Sequence, residues 1–117
     1  MPRRRWRQRI DDILEAAARI AQDTAGRDEA AFCSDRTVVD AVCMNLIVIG
    51  EASRHVPEEI VRAHPAIPWA EMRDMRNLIA HEYFGISPQI VWRTAVVHVP
   101  EIVPLLRRLL DATAADY

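Results

Sequence analysis

Apolar residues recur along this chain at spacings of three and four, which place side chains on one face of an α-helix. The first stripe of this kind runs over about residues 4 to 24 and consists of Trp6, Ile10, Ile13, Leu14, Ala17 and Ala21. The segment 26–28 interrupts the pattern, and polar residues continue to Asp35. The pattern therefore predicts a long first helix followed by a polar stretch.

A second apolar face begins after Asp35, whose carboxylate suits the N-cap of a helix. We expect this second helix to end near His55. Its apolar face consists of Val38, Val42, Leu46, Ile49 and Ala52. Residues 46–49 are rich in β-branched side chains and could be taken for a strand. The helical periodicity on both sides of them favours a helix.

Prolines mark the boundaries in the middle of the chain. Pro57 suits the first turn of a short helix through His64. Two further prolines within residues 65–68 indicate an extended connection. Trp69 then opens another helix, which Gly85 ends.

Two more prolines shape the last third of the chain. Ser87 and Pro88 form a favourable N-cap and first-turn pair for a last long helix. Pro100 has no N–H with which to continue the hydrogen bonds of that helix, so we expect a break or kink there. Residues 101–112 then form a final helical segment.

The composition fits this helical pattern. Only 3 of the 117 residues are glycine, 50% are hydrophobic, and the helix formers Ala, Leu, Arg and Glu dominate. A chain of this length is expected to form one domain, here residues 1–117, around its own core. We therefore predict an all-α, up-and-down four-helix bundle with a short additional helix.

Charge is distributed unevenly along the chain, although the formal net charge is only −2. The amino end is basic through Arg3, Arg4, Arg5, Arg7 and Arg9. The carboxyl end is acidic through Asp111 and Asp116. A basic start can contact nucleic acid or a membrane. The simpler interpretation is a frayed, solvated helix start.

The cysteines and the apolar runs argue against several classes of protein. Cys33 and Cys43 form no C-x-x-C pair, and no histidine lies at zinc-ligand spacing from either of them. We therefore predict neither a metal site nor a disulfide framework. No run approaches the roughly 20 apolar residues that span a bilayer. We expect a cytoplasmic protein with no metal, no other cofactor and no membrane partner.

The segment R-N-L-I-A-H-E-Y, which begins at Arg76, combines a permanent cation with the side chain best suited to moving protons near neutral pH. At 100° per residue, Arg73, Asn77 and His81 form one polar stripe of a helix. Arg76 and Tyr83 are seven residues apart and form a second stripe. Arg76 and His81 lie about 140° apart around the axis, so one helix does not bring both directly onto a small ligand.

A second copy of the chain would complete such a site, because two motif helices across a two-fold axis pool two arginines and two histidines. In that cleft the ribose 2′-OH of RNA could attack the adjacent phosphorus. His81 and its symmetry mate would serve as base and acid, and Arg76 would stabilise the phosphorane charge. Asn77 could orient the His81 ring or contact phosphate. On pattern alone, the alternative is a polar helix face that is merely solvated.

Another pair of polar residues lies at the end of the second helix. Glu51 and His55 are one turn apart and could form an acid–base pair. More often such a pair is a surface contact, which stabilises a helix by roughly 0.2–0.5 kcal/mol. A third possibility is that Glu51 points inward and holds the motif helix.

The motif R-N-x-x-x-H-x-Y resembles the signature of the HepT-like toxins of the HEPN superfamily. Further elements resemble that family, so that the likeness covers most of residues 10–110. They are G-E-A at residues 50–52, P-A-I-P-W at 65–69, and Y-F-G-I at 83–86 followed by I-V-W at 90–92 and Pro100. The joint occurrence of these elements makes the resemblance specific.

This resemblance implies an HEPN-type four-helix bundle, a homodimer, and a metal-independent endoribonuclease site centred on Arg76 and His81. We expect Asn77, Arg73 and Glu51 to support that site. The implied substrate is RNA, either tRNA or mRNA. The hypothesis is thus a ribonuclease toxin with a composite site in a homodimer cleft.

The resemblance also implies a partner, a cognate MntA-like nucleotidyltransferase antitoxin of a type VII-like toxin–antitoxin system. That antitoxin would adenylylate Tyr83, and the bulky, negatively charged AMP would block RNA and repel its phosphates. The alternative is a catalytically silent HEPN subunit that dimerises and docks a nucleotidyltransferase. In that case the same residues serve dimer contact and nucleotide docking.

Overall fold

The computed structural model describes residues 2–114, and the side chains of residues 5–114. Within this part the chain forms seven α-helices and one π-helical turn, with no strand, which confirms the all-α prediction. The helices are α1 (Pro2–Thr24), α2 (Glu29–Cys33), α3 (Arg36–Ser53), α4 (Glu58–Ala63), α5 (Trp69–Glu82), α6 (Pro88–Arg93) and α7 (Val99–Ala112). The π-helical turn, Thr94–His98, joins α6 to α7. The predicted charges of Arg3 and Arg4 lie on side chains outside the described ones, and Asp116 lies outside the described residues.

Four long helical segments build the bundle: α1, α3, α5 and the continuous run from α6 through α7. Helix α3 lies between α1 and α5 and packs against both, while α7 packs against α1. The core is formed by fully buried aliphatic side chains, among them Ile10, Ile13, Val42, Leu46, Ile49, Leu106 and Leu109. Burying each such side chain stabilises the fold by roughly 1.5–3 kcal/mol. The helical interpretation of residues 46–49 is thereby confirmed.

The amino-terminal part of α1 is anchored from Trp6 onward. Trp6 is buried, and Arg7 Nη1 donates to the carbonyl of Leu110 at 3.2 Å and to Thr113 Oγ1 at 2.6 Å. A cation at this place also interacts favourably with the carboxyl end of α7. The expectation of a frayed, solvated helix start is therefore wrong for Arg7, whereas Trp6 is buried as its place in the apolar stripe predicted.

Helix α2 falls where the sequence indicated only a polar stretch. Asp28 caps it by accepting a hydrogen bond from the N–H of Ala31 at 2.8 Å, and Phe32 is fully buried. The helix has 5 residues, too few for an apolar periodicity to show in the sequence. The bundle thus has two short helices, α2 and the predicted α4, instead of one.

The last long helix changes its hydrogen-bond register just before Pro100. The N–H of Val99 bonds to the carbonyl of Thr94, five residues back, and α7 then continues to Ala112 with Pro104 inside it. Because Pro100 has no N–H, the turn before it cannot keep the regular α-helical bonding. The break predicted at Pro100 is confirmed, as a π-helical turn. Among the described residues, no helix combines the length and apolar character needed to cross a bilayer.

Candidate active site

Helix α5 crosses α3 at very close range, and Gly50 makes that approach possible. A Cβ atom at Gly50 would lie 2.6 Å from the backbone N of Arg76 and 2.8 Å from its Cβ. No side chain fits at such distances, so glycine is required for the two backbones to meet here. The G-E-A element thus places the first residue of the motif directly against α3.

The guanidinium of Arg76 is held by two neighbouring side chains. Its Nε lies 3.5 Å from Oε1 of Glu51, the residue after Gly50, and its Nη1 donates to Oδ1 of Asn77 at 3.2 Å. The Arg76 side chain remains 42% exposed. A guanidinium that is held at one edge and open to solvent at the other can bind a phosphate while its contacts with the protein stay in place.

Glu51 contacts a histidine on its other side. Its Oε2 lies 3.3 Å from Nε2 of His55, so one carboxylate bridges His55 and Arg76. Glu51 is about half exposed, and the prediction that it points inward is wrong in that respect. Its other predicted role, holding the motif helix, corresponds to the ion pair with Arg76.

Arg73 does not join the polar stripe of Asn77 and His81. Its guanidinium donates to the carbonyls of Ser53 and Val56, each at 3.4 Å, and it lies 3.7 Å from Glu58. These contacts tie α5 to the carboxyl end of α3 and to the start of α4. The structure therefore places Arg73 as a connection between helices, where the sequence had indicated a site residue.

His81 is exposed on the last turn of α5 and forms no hydrogen bond or ion pair with any described residue. Asn77, one turn earlier, accepts its hydrogen bond from Arg76 and does not orient the His81 ring. Within one chain, Arg76 and His81 are consequently not in contact. The separation around the helix axis that the sequence predicted is therefore present in the fold.

Tyr83 follows α5 and contacts the first turns of α3. Its hydroxyl donates to Oδ1 of Asp40 at 2.7 Å and accepts from Nη2 of Arg36 at 2.8 Å. The Arg36 guanidinium also lies over the Tyr83 ring, 5.1 Å from its centroid, and Nε of Arg36 pairs with Asp40 at 3.0 Å. Hydrogen bonds to Tyr83 and Asp40 raise the pKa of Arg36 above its usual value.

Arg36 and Asp40 were not among the residues singled out from the sequence. Their four-residue spacing marks an ion pair on one face of a helix, which is the only signal that they carry. What assigns them to the site is the antiparallel packing of α3 on α5. Arg73 and Arg76 meet the end of α3, whereas Tyr83 meets its beginning.

The arrangement defines a helical-bundle protein in which one helix and its C-cap carry an anchored arginine, an exposed histidine and a hydrogen-bonded tyrosine. Within residues 2–114 no group of three or more His, Cys, Asp or Glu side chains is placed to hold a metal ion. The model of the ribonuclease HepT-like family matches residues 13–109, and the chain belongs to that family. The resemblance seen in the sequence is confirmed.

Individual relatives agree with this assignment. The chain is 37% identical over 93 residues to a probable ribonuclease HepT of Thermococcus cleftensis, covering 80% of this chain and 84% of that protein. It is 36% identical over 102 residues to a protein of Methanocaldococcus jannaschii that is provisionally named an RNase, covering 87% and 84%. A protein of Caldanaerobacter subterraneus with a similar provisional name is 30% identical over 102 residues, covering 87% and 91%. No solved structure matches the chain.

Proposed function

We propose that this chain, as one domain over residues 1–117, is a metal-independent endoribonuclease and the toxin of a type VII-like HepT/MntA toxin–antitoxin pair. The observation that carries the proposal is that one helix presents both a cation held in place, Arg76, and an exposed histidine, His81. The Thermococcus cleftensis relative, which is named a probable ribonuclease, supports the same activity. The substrate is cytoplasmic RNA, either tRNA or mRNA.

The proposed reaction is cleavage by the RNA's own ribose. The 2′-oxygen attacks the adjacent phosphorus, the bond to the 5′-oxygen breaks, and a cyclic phosphate remains. One histidine takes the proton from the 2′-OH, and a second gives a proton to the leaving 5′-oxygen. Arg76 stabilises the charge that develops on the phosphorane. The reaction needs no metal, because side chains supply the base, the acid and the cation.

A homodimer is the proposed form of the active enzyme. Arg76 and His81 face different directions on α5, so a second subunit is the direct way to bring an arginine and two histidines onto one phosphate. Two apolar side chains near His81 in the chain support an interface here. Leu78 is 48% exposed and Phe84 is 97% exposed, and a partner subunit would remove this apolar surface from water.

The proposed partner is an MntA-like nucleotidyltransferase that transfers AMP to Tyr83. Tyr83 lies two helical turns from Arg76, a rise of roughly 10 Å along the axis. That distance is comparable with the Debye length of about 8–10 Å at physiological salt, so the charge of AMP reaches the site only in part. The bulk of the nucleotide supplies the rest of the inhibition by occupying the path of the RNA.

A second candidate function is a catalytically silent HEPN subunit that dimerises and docks the nucleotidyltransferase. Two observations favour it. Glu51 already neutralises Arg76 in part, and His81 has no partner among the described residues to orient its ring. In this case Tyr83 is still modified, but no RNA is cut.

One experiment separates the two functions. The unmodified wild-type chain and the variants Arg76→Ala, His81→Ala and His98→Ala are incubated with tRNA and mRNA in EDTA, and the fragments are resolved. His98 is an exposed histidine on the last helical run and serves as the matched control. The enzyme hypothesis expects cleavage by wild type and His98→Ala, and a loss of at least about 100-fold in the other two. Folded, unmodified wild type that cuts nothing supports the silent subunit.

A further inference from the structure

The Tyr83 hydroxyl lies between a carboxylate and a guanidinium. The hydroxyl donates to Asp40 Oδ1 at 2.7 Å and accepts from Arg36 Nη2 at 2.8 Å. Its proton therefore points at a carboxylate, and a cation lies on the other side of the same oxygen. A phenol is a weak nucleophile until its proton is taken, and a carboxylate in contact with it can act as the base.

An open cavity lies beside this hydroxyl. Its volume is about 270 Å³, and its lining includes Tyr83, Arg36 and Asp40 together with apolar side chains such as Val39 and Ile86. Pockets that enclose a whole drug-sized ligand have roughly 300–1,000 Å³. The cavity can therefore take one part of a nucleotide, such as a phosphate or a base, while the rest stays on the enzyme that delivers it.

We propose that Asp40 and Arg36 form the acceptor site for nucleotidyl transfer to Tyr83. Asp40 takes the phenolic proton while the Tyr83 oxygen attacks the α-phosphorus of a nucleoside triphosphate held by the partner transferase. The bond from that phosphorus to the bridging oxygen of the β-phosphate breaks, pyrophosphate leaves, and Asp40 releases the proton to solvent. Arg36 pairs with the transferred phosphate, which carries one negative charge.

This proposal rests on the modification of Tyr83 put forward above and adds the residues of the toxin that enable it. In this proposal the nucleotidyltransferase does not supply every catalytic group, because the chain that it modifies supplies the base. The ionisable groups around the phenol are Arg36 and Asp40, the thiols of Cys33 and Cys43, and the chain neighbours His81 and Glu82. Burial raises the pKa of both thiols, so they stay protonated near neutral pH. Among the described groups, the phenol hydrogen-bonds only Arg36 and Asp40, and of these two Asp40 is the one that can act as a base.

The test measures the initial rate at which Tyr83 gains AMP. The purified chain is mixed with its cognate nucleotidyltransferase, Mg²⁺ and α-labelled ATP, and the label on Tyr83 is followed by mass spectrometry. Asp40→Asn keeps a hydrogen-bond acceptor for the phenol but cannot hold its proton, and is expected to slow labelling by about 100-fold at pH 7. Asp74→Asn removes an exposed carboxylate of α5 and is the matched control, expected within about twofold of wild type.

The pH dependence distinguishes a base from a merely structural residue. The rate of Asp40→Asn relative to wild type should rise toward one as the pH is raised, because hydroxide in solution then takes over removal of the phenolic proton. Arg36→Gln should be slowed to a similar degree at every pH, because it removes a charge and not a base. Asp40→Glu, which keeps the carboxylate, should retain at least about a tenth of the wild-type rate. Thermal unfolding of each variant shows that it is folded.

The failure of this inference is distinguishable from the failure of the proposed function. Label on wild type that disappears in Tyr83→Phe supports the modification, and an Asp40→Asn variant labelled as fast as wild type then overturns the role of Asp40 alone. A slowed Asp40→Asn rate with no recovery at high pH also overturns it. No label on wild type, with a transferase that turns over ATP, overturns the modification and the inference together.

Discussion

Gly50 of α3 lies directly against the backbone of Arg76 on α5, with room for no side chain between them. A Cβ atom at Gly50 would be 2.6 Å from the Arg76 N and 2.8 Å from its Cβ. The next residue, Glu51, holds the guanidinium of the same arginine at 3.5 Å. Gly50 and Glu51 therefore set both the position of Arg76 against α3 and the direction in which its guanidinium points.

Gly50→Ala is expected to destabilise the fold and to displace Arg76. The clash is with backbone and Cβ atoms, which cannot rotate away, and overpacking of this kind costs roughly 1–3 kcal/mol. Thermal unfolding should show a melting temperature lower by several degrees. RNA cleavage by the folded fraction should also fall. Gly85→Ala is the matched control, since the nearest atom to a Cβ there is the Glu82 carbonyl oxygen at 3.9 Å. Equal melting of the two variants would contradict the packing argument.

Arg73→Ala is expected to lower the free energy of unfolding by more than it raises the activation free energy of RNA cleavage. The substitution removes two hydrogen bonds to the carbonyls of Ser53 and Val56. Hydrogen bonds from charged groups contribute roughly 1.5–3 kcal/mol, and these are long and partly exposed, so we expect about 1–2 kcal/mol in a urea titration. Arg62→Ala is the control, because Arg62 is 80% exposed and contacts the same Glu58 only at 3.9 Å. A folded Arg73→Ala variant without cleavage would show that Arg73 acts at the site.

Glu51→Gln is expected to separate RNA binding from turnover. Without the carboxylate, Arg76 is no longer neutralised, so RNA should bind several-fold more tightly at low salt with a steeper salt dependence. The guanidinium also loses its anchor, so kcat should fall. Stability should change by less than about 1 kcal/mol, because the pair is half exposed. Glu71→Gln makes the same charge change on the exposed first turn of α5 and controls for net charge. Parallel losses of binding and turnover would contradict this account.

The long helices could be predicted because their apolar periodicity extends over many turns. The α1 stripe from Trp6 and the α3 face from Val38 each repeat often enough to identify a helix and its buried side. Helix α2 has a cap, Asp28, and one buried aromatic, Phe32, and no repeat. A single buried residue in a short segment carries no period, so the sequence indicated only a polar stretch there.

The candidate site could be predicted only as far as one helix determines it. The separation of Arg76 from His81 follows from helix geometry alone. The direction of Arg73 does not, because a long side chain can leave its stripe for carbonyls on the next helix. The contact of Tyr83 with Asp40 joins residues 43 apart in the chain. It depends on the alignment of α3 with α5, which no local pattern specifies.

His55→Ala is expected to leave cleavage within about twofold of wild type. His55 is about half exposed and contacts Glu51 at 3.3 Å, and such a pair on a helix surface contributes little. His81→Ala, by comparison, should lose at least about 100-fold in kcat because it removes the proposed proton carrier. The measurement is the initial rate of RNA cleavage by both variants at equal folded concentration. A loss in His55→Ala as large as that in His81→Ala would identify the bridge from His55 through Glu51 to Arg76 as part of the chemistry.

Mixing two inactive variants is expected to restore activity if the site is shared between subunits. Arg76→Ala and His81→Ala are co-expressed with different affinity tags, and the mixed dimer is purified through both tags in turn. In a composite cleft the mixed dimer retains one arginine and one histidine, and these come from different chains. Its cleavage rate should therefore exceed the sum of the two parent homodimers, while staying below wild type because one proton carrier is missing. A site contained within one chain would make the mixed dimer as inactive as its parents, because neither of its chains carries both residues.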